Sequence, residues 1–209
     1  YIDALVDAQS HIDGYFFLEE SLSPALLDAM QKVCPITPNQ DGAETPAYVY
    51  SHYFLGRRAT ALARIDLLNK LSQNFDVTVY THADCKDILP TAIYGGKIDY
   101  YDTMPTVFQH SKINLNITLK TIQTGIPLRA WDILGCSGFL LTNFQQELCD
   151  FFIPGEDFVY YESPADAIEK AAYFLSHDRE RQEIAHNAFE KIAASHTFHH
   201  RVQSMFDII

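Results

Sequence analysis

Short β-rich runs alternate with helical patterns over most of this chain. From Ala47 onward, runs of β-branched and aromatic residues are separated by segments whose apolar residues recur at helical spacing. This order is typical of a parallel sheet whose strands are connected by crossover helices. We therefore expect an α/β fold with a Rossmann-like parallel sheet, and we predict strands at residues 48–53, 75–81, 112–118, 139–142 and 158–161.

Helical segments are predicted at both ends of the chain. Residues 1–33 carry apolar residues at helical spacing, and Ser23-Pro24 is typical of a helix start. Residues 34–46 hold three prolines and turn-forming residues, which indicate a linker. We predict a helical segment and linker at 1–46 and a Rossmann-like domain at 47–209, with Thr197 capping a last helix that runs to Ile209.

Composition excludes some classes of partner. The formal net charge of −12 and the pI near 5.0 argue against a nucleic-acid partner, because polyphosphate binding normally needs a basic surface. The most apolar stretch, residues 130–141, contains Asp132 and two glycines, so no membrane span is expected.

The cysteine spacing and the start of the sequence indicate the cellular location. The four cysteines lie far apart without a Cys-x-x-Cys pair, which favours reduced thiols and a cytoplasmic location. The sequence begins at Tyr1 and shows no basic-then-apolar leader, so we expect a piece of a longer protein rather than a secreted one.

The segment after the predicted strand 112–118 carries the strongest candidate site. Ligands of open parallel sheets bind at the carboxyl ends of strands, where loops meet helix N-termini. Gly125 allows backbone to approach a ligand, and Pro127 suits the first position of a helix whose amides would face an anion. Arg129 and Asp132 lie three residues apart and share one helix face, whereas Leu128, Trp131 and Leu134 are predicted to form the buried face.

Two interpretations of the Arg129 and Asp132 pair stay open. A guanidinium near a helix start can neutralise a diphosphate, and a carboxylate one turn later can accept hydrogen bonds from ribose hydroxyls. Alternatively, the two side chains form a surface ion pair, which is common and weak.

Two stretches carry a family resemblance. Ser-Lys-Ile-Asn-Leu-Asn at 111–116 and Gly-Ile-Pro-Leu-Arg-Ala-Trp-Asp at 125–132, continuing to Asn143, resemble the CgeB-like (spore maturation protein B-like) glycosyltransferases of the group 1 type. The likeness extends from about Tyr53 to Arg201 and is strongest between Met104 and Asn143. It implies the C-terminal, nucleotide-sugar-binding half of a GT-B fold, and hence an upstream domain.

The resemblance also implies roles for individual residues. In the wider superfamily this helix carries two glutamates, of which the later holds the donor ribose; that position matches Asp132, but the earlier one falls on Thr124. Arg129 would stabilise the departing diphosphate, which makes it the candidate catalytic residue. Arg57 and Arg58 are either phosphate ligands or solvated side chains. With Arg129 and Asp132, the expected substrate-binding residues are Arg57, Arg58, Thr118, Gly125, Ile126 and Pro127.

The implied activity is metal-independent transfer of a sugar from a nucleoside diphosphate sugar, UDP-linked, to an unknown glycan, protein or small-molecule acceptor. No cofactor is expected, and the chain alone is expected to bind the donor without turnover, because the acceptor site belongs to the upstream domain. An exposed apolar patch is then expected near residues 1–30 or on the last helix. A sugar-nucleotide epimerase of the same fold and a non-catalytic binding or scaffold module are the alternatives, and Thr124 keeps the second open.

Metal and base-binding motifs are weak in this sequence. His196, His199 and His200 have helical ligand-like spacing, but a helix start capped by Thr197 explains them better than zinc does. Tyr94, Tyr100, Tyr101 and Phe108 either stack a uracil base or belong to the core.

Overall fold

The computed structural model describes residues 1–37 and 44–207, which form helices joined to five short strands. The α-helices are α1 Ile2–Ser10, α2 Pro24–Val33, α3 Pro46–Tyr48, α4 Gly56–Ser72, α5 Met104–His110, α6 Leu128–Gly135, α7 Pro164–Ser176, α8 Asp178–Ser195 and α9 Phe198–Phe206. A π-helix, Val49–Leu55, lies between α3 and α4, and a 3₁₀-helix spans Gln146–Asp150. The strands are β1 Thr78–Tyr80, β2 Ile93–Gly96, β3 Asn114–Asn116, β4 Leu140–Asn143 and β5 Val159–Tyr161.

The chain divides into two compact units. The first unit contains residues 1–67 and 118–123, and the second contains residues 68–117 and 124–209. The predicted boundary at residue 46 between a helical segment and a Rossmann-like domain stays a prediction. Of the predicted linker 34–46, residues 38–43 lie outside the described part of the chain, as does Ile209 at the predicted end of the last helix.

The first unit is held together by an apolar core and by buried polar side chains. Its core residues are Val6, Leu18, Leu22, Tyr50, Leu55 and Ala59. Lys120 is buried, and its ammonium lies 2.8 Å from a carboxylate oxygen of Asp13. The Lys120 amide donates to the hydroxyl of Thr60 on α4, which fixes the 118–123 segment within this unit.

The predicted strand at 48–53 is wrong, because this segment is helical. Thr45 caps the helix by accepting a hydrogen bond from the Tyr48 amide, and Pro46 occupies the first turn. The π-helical turn that follows places Tyr50 and Leu55, five residues apart, in one core. A five-residue step fits neither the strand period nor the α-helical period, so the aromatic composition of the run was misleading.

The second unit contains all five strands, and every pairing among them is parallel. β1 pairs with β2, and β4 lies between β3 and β5 in a three-stranded sheet. The register places Asn114 opposite Leu140 and Leu141 opposite Val159. The α/β class with short parallel sheets is therefore as predicted, and four of the five predicted strands are present.

One core supports the three-stranded sheet and α6. The core consists of Phe108, Ala130, Ile133, Leu134, Leu140, Leu148, Phe152, Phe158 and Ala188. Gly138 is required where α6 turns into β4, because a Cβ there would lie within 3.0 Å of Asn114 Nδ2 and of the Phe108 and Ile133 carbonyl oxygens. This tight turn positions α6 against the sheet.

The buried face of α6 differs from the prediction. Ala130, Ile133 and Leu134 are buried, whereas Leu128 is 76% exposed. Trp131 is half-buried and packs its ring against those of Phe151 and Phe152. The buried positions follow the i, i+3, i+4 spacing from Ala130 rather than from Leu128.

The last helix begins as predicted. Thr197 accepts a hydrogen bond from the His200 amide, and His200 completes a capping box through its ring nitrogen. Over residues 1–37 and 44–207, none of the helices combines the length and the apolar character needed to cross a bilayer.

Candidate functional site

The loop before α6 has the backbone geometry that the sequence predicts. Gly125 has φ +99°, a left-handed conformation that favours glycine. Pro127 is the N-cap residue of α6, one position earlier than predicted, and no side chain caps this helix. The first amides of a helix lack intrahelical partners, so the start of α6 presents N–H groups that can bind an anion.

Arg129 lies in the first turn of α6 and is exposed to solvent. Its guanidinium carbon lies 5.5 Å from the centroid of the Phe108 ring, which belongs to α5. This cation–π contact orients the side chain without neutralising its charge. Arg129 is therefore available to an anionic ligand.

Asp132 follows one turn later and is half-buried. Its Oδ2 accepts a hydrogen bond of 2.7 Å from the phenol of Tyr100. This hydrogen bond is the main cause that raises the pKa of Tyr100, and burial adds to it, whereas the positive charge of Arg129 opposes the shift. Tyr100, Arg129 and Asp132 thus form one electrostatic cluster.

The simple ion-pair interpretation of Arg129 and Asp132 does not describe this arrangement. Within the described part of the chain, no ion pair joins the two side chains, and each has a partner on the segment that contains α5. Their partners, Phe108 and Tyr100, leave the charge of Arg129 uncompensated by a carboxylate.

A carboxylate from elsewhere in the second unit reaches the loop. Glu147, in the 3₁₀-helix, accepts a hydrogen bond from the amide of Gly125. No ligand role is predicted for Glu147 from the sequence. The contact shows that a loop amide is directed towards a negatively charged oxygen, which is the geometry that a phosphate oxygen would use.

Three of the sequence-predicted site residues belong to the first unit. Arg57 and Arg58 lie in the first turn of α4 rather than after a strand, because the preceding segment is helical. Arg57 and Arg64 line an open depression of about 470 Å³ with Leu119. Thr118 is buried. Gly125, Ile126, Pro127, Arg129 and Asp132 belong to the second unit.

The histidine group at the C-terminal end has structural partners. His196 Nδ1 accepts a hydrogen bond of 2.9 Å from Arg201, and its ring packs against Trp131. Burial, with the positive charge of Arg201, lowers the pKa of His196. Among residues 1–37 and 44–207, no three His, Cys, Asp or Glu side chains form a group that could hold a metal ion.

A comparison with known protein families matches residues 58–207, well over half of the chain, to the family described as glycosyl transferase-like. The chain belongs to this family. A search of curated proteins and a search of solved structures found no match. The glycosyl transferase-like region includes Arg58, Thr118 and every candidate residue of the second unit, and Arg57 lies one residue before it. Family membership supports sugar transfer in general terms.

Proposed function

We propose that this chain is the donor-binding domain of a CgeB-like glycosyltransferase of the GT-B type. In this proposal it binds a nucleoside diphosphate sugar, UDP-linked, and transfers the sugar to a glycan, protein or small-molecule acceptor. The acceptor site belongs to an upstream domain of the longer protein. The four cysteines are all free, which suits the reducing cytoplasm that we propose as the location.

The observation that carries the proposal is the placement of Arg129 and Asp132 at the start of α6. The two side chains lie one turn apart, and they are held by Phe108 and Tyr100 rather than by each other. A cation beside uncapped helix amides suits a diphosphate, and a carboxylate one turn further suits the hydroxyls of the attached ribose. The order of the two charges along α6 thus suits the two polar parts of a nucleoside diphosphate.

The proposed chemistry is stabilisation of the leaving group. When the bond between the sugar and the diphosphate breaks, negative charge develops on the diphosphate oxygen. Arg129 and the uncapped amides at the start of α6 stabilise this charge by preorganised hydrogen bonds. The proposal assigns this role to protein groups rather than to a metal ion, and it requires no cofactor.

In this proposal, the Glu147 carboxylate competes with the diphosphate for the Gly125 amide. Its carboxylate accepts a hydrogen bond from the Gly125 amide, so a diphosphate that uses the same N–H must displace it. The binding energy of the diphosphate is therefore reduced by the loss of this contact. A role for Arg57, Arg58 and Thr118 as donor ligands stays a prediction from the sequence.

Titration calorimetry of the purified chain with UDP, GDP and uridine tests the proposal. We expect UDP to bind more tightly than uridine, because only UDP supplies charge for Arg129 and the amides. Equal or absent binding of all three would favour a non-catalytic scaffold. If the donor is bound, product analysis with a radiolabelled UDP-sugar and the longer protein, which carries the proposed acceptor domain, separates an epimerase, which returns a nucleotide-linked isomer, from a transferase or hydrolase, which releases UDP.

A further inference from the structure

Tyr100 occupies one oxygen of Asp132 and leaves the other for a ligand. The Tyr100 phenol donates to Oδ2 of Asp132 at 2.7 Å, across 32 residues of sequence. Among the residues that the structure describes, Oδ1 of Asp132 has no hydrogen-bond partner. A carboxylate held by one oxygen in this way cannot rotate freely, and its second oxygen is presented in a fixed direction.

The turn that carries Tyr100 is itself held by hydrogen bonds. The carboxylate of Asp99 accepts from the amides of Tyr101 and Asp102, both at 2.8 Å, and the Asp99 carbonyl accepts from the Met104 amide at 2.9 Å. The hydrogen bond from the Asp102 amide contributes most, and that from the Tyr101 amide adds to it, in lowering the pKa of the Asp99 carboxyl group, which is ionised at neutral pH. Tyr100 therefore stands on a preorganised turn before α5.

Arg129 belongs to the same arrangement. Its guanidinium packs on Phe108 of α5, a few residues after the Tyr100 turn. One short segment thus positions both charged residues of α6, one through an aromatic ring and one through a phenol. The two side chains are held in place before a ligand arrives, which reduces the entropy that binding costs.

We propose that Tyr100 is a positioning residue of the nucleotide site, which fixes Asp132 so that its Oδ1 accepts a hydrogen bond from a ribose hydroxyl. This inference rests on the proposed function of Asp132. Tyr100 has its hydroxyl proton engaged by Asp132, so it acts through that carboxylate and not as a donor to the ligand. The ligand class is a ribonucleoside whose sugar hydroxyls donate to a carboxylate.

Tyr101 provides a matched control. Its ring is 82% exposed and packs edge-on against Tyr100 at 5.1 Å between centroids. In the described part of the chain its hydroxyl has no hydrogen-bond partner. Tyr101→Phe therefore removes the same atom as Tyr100→Phe from the same turn, without changing a contact to Asp132.

Calorimetric titration with uridine tests the inference in four variants. These are Tyr100→Phe, Tyr101→Phe, Asp132→Asn and the Tyr100→Phe/Asp132→Asn double variant. Tyr100→Phe should weaken uridine binding about fivefold to tenfold, because an Asp132 side chain that is no longer held must be ordered when the ligand binds. Tyr101→Phe should leave the dissociation constant unchanged, and Tyr100→Phe should add no further loss once Asp132 is Asn.

The outcomes separate this inference from the proposed function. If Asp132→Asn weakens binding but Tyr100→Phe does not, the positioning role is wrong and the proposed function stands. If Tyr100→Phe causes the same loss of uridine affinity in the wild-type chain and in Asp132→Asn, the positioning role is also wrong, because Tyr100 then acts independently of Asp132. If Asp132→Asn has no effect, both the proposed function and the inference are wrong.

A spectroscopic readout distinguishes positioning from general structural support. The carbon-13 ring resonance of Tyr100, assigned by its loss in Tyr100→Phe, should titrate above the ordinary range of a phenol in the wild-type chain. In Asp132→Asn this pKa should move down towards the ordinary value, because the carboxylate that raises it is gone. An unchanged pKa would show that the two side chains do not interact in solution, which overturns the proposal.

Discussion

The carboxylate of Glu147 accepts a hydrogen bond from the backbone N–H of Gly125, 22 residues earlier in the sequence. The contact places a negative charge on the loop to which the proposal assigns the donor diphosphate. Glu147 therefore occupies an anion-binding amide when no nucleotide is present. Its carboxylate and the diphosphate cannot use the same N–H group at the same time.

Glu147→Gln should strengthen the binding of UDP. The amide side chain still accepts a hydrogen bond, but it no longer repels the diphosphate, which we expect to gain about 0.5 to 1 kcal/mol of binding free energy. Uridine binding should be unchanged, because uridine carries no phosphate. Parallel titrations of the two ligands measure the difference.

Glu169→Gln is the matched control, since Glu169 is an exposed residue of α7. It removes the same charge from the chain and should leave both affinities unchanged. Weaker UDP binding in Glu147→Gln would contradict the competition and indicate that Glu147 holds the loop in its binding geometry.

Gly138→Ala should destabilise the second unit. A Cβ at this position would lie 2.8 Å from Asn114 Nδ2 and 2.9 Å from the Phe108 carbonyl oxygen, and neither can move without disturbing the packing of α6 on β3. Overpacking of this kind costs about 1 to 3 kcal/mol of the free energy of unfolding. Urea denaturation followed by circular dichroism measures this loss.

Gly135→Ala is the control for Gly138→Ala. Gly135 is the last residue of α6, and the atom nearest to a Cβ added there would be Ile192 Cγ2 at 3.9 Å, an ordinary contact distance. Alanine is the better helix former, so this substitution should be neutral or stabilise by up to about 1 kcal/mol. Equal losses in the two variants would show that the close approach at Gly138 is absent in solution.

The free energy of unfolding should fall as the pH is lowered through the range of His196. Burial and Arg201 lower the pKa of His196 below its ordinary value of 6.5. The unfolded chain therefore binds more protons at this residue than the folded chain between the two pKa values, so the contribution of His196 to stability is fully present above pH 6.5 and is lost as the pH falls through the folded pKa.

His196→Gln should flatten this pH dependence. Denaturation curves between about pH 7.5 and 5.5 isolate the titration of histidine from that of the carboxylates. His186→Gln serves as the control, since His186 is an exposed residue of α8 and should leave the slope unchanged. A wild-type chain whose stability does not change over this range would contradict the lowered pKa.

The apolar face of α9 is exposed, as expected for the last helix. Phe198 is 89% exposed, and three further apolar side chains of this helix are also exposed, namely Val202, Met205 and Phe206. A patch of this kind marks an interaction surface. In our proposal the upstream domain of the longer protein covers it.

Substituting both Phe198 and Phe206 with Ser should reduce the binding of the dye anilinonaphthalene sulfonate without changing the far-UV circular dichroism. Gln203→Ser on the same helix should leave dye binding unchanged. If dye binding were the same in the double variant and the wild-type chain, the face of α9 would be covered in the isolated protein.

The sequence predicts the parallel strands because their local patterns are strong. Leu140 and Leu141 form a short apolar run that is buried as β4. The sequence predicts neither β2 nor α5, and it predicts a strand where α3 and the π-helix lie. β2 ends in two glycines and is formed by pairing with β1, which is information that a local pattern lacks.

The candidate site is also predicted only where its residues are close in sequence. The i, i+3 spacing of Arg129 and Asp132 is a local property, so the sequence places both on one helix. Tyr100, the partner of Asp132, and Glu147, the partner of the Gly125 amide, are brought to α6 and its loop by tertiary packing, over 32 and 22 residues. From the sequence, Tyr100 is predicted either to stack a base or to belong to the core, because no short-range signal links its hydroxyl to a carboxylate.

The dependence of nucleotide binding on Arg129 and Asp132 tests the central claim most directly. Calorimetric titrations of Arg129→Ala and Asp132→Asn with UDP, GDP and uridine separate the phosphate from the ribose contribution. Arg129→Ala should weaken both diphosphates and spare uridine, whereas Asp132→Asn should weaken all three, each by about 1.5 to 3 kcal/mol per charged hydrogen bond lost. Unchanged diphosphate affinity in Arg129→Ala, with the circular dichroism of the wild-type chain, would remove Arg129 from the site and contradict the account.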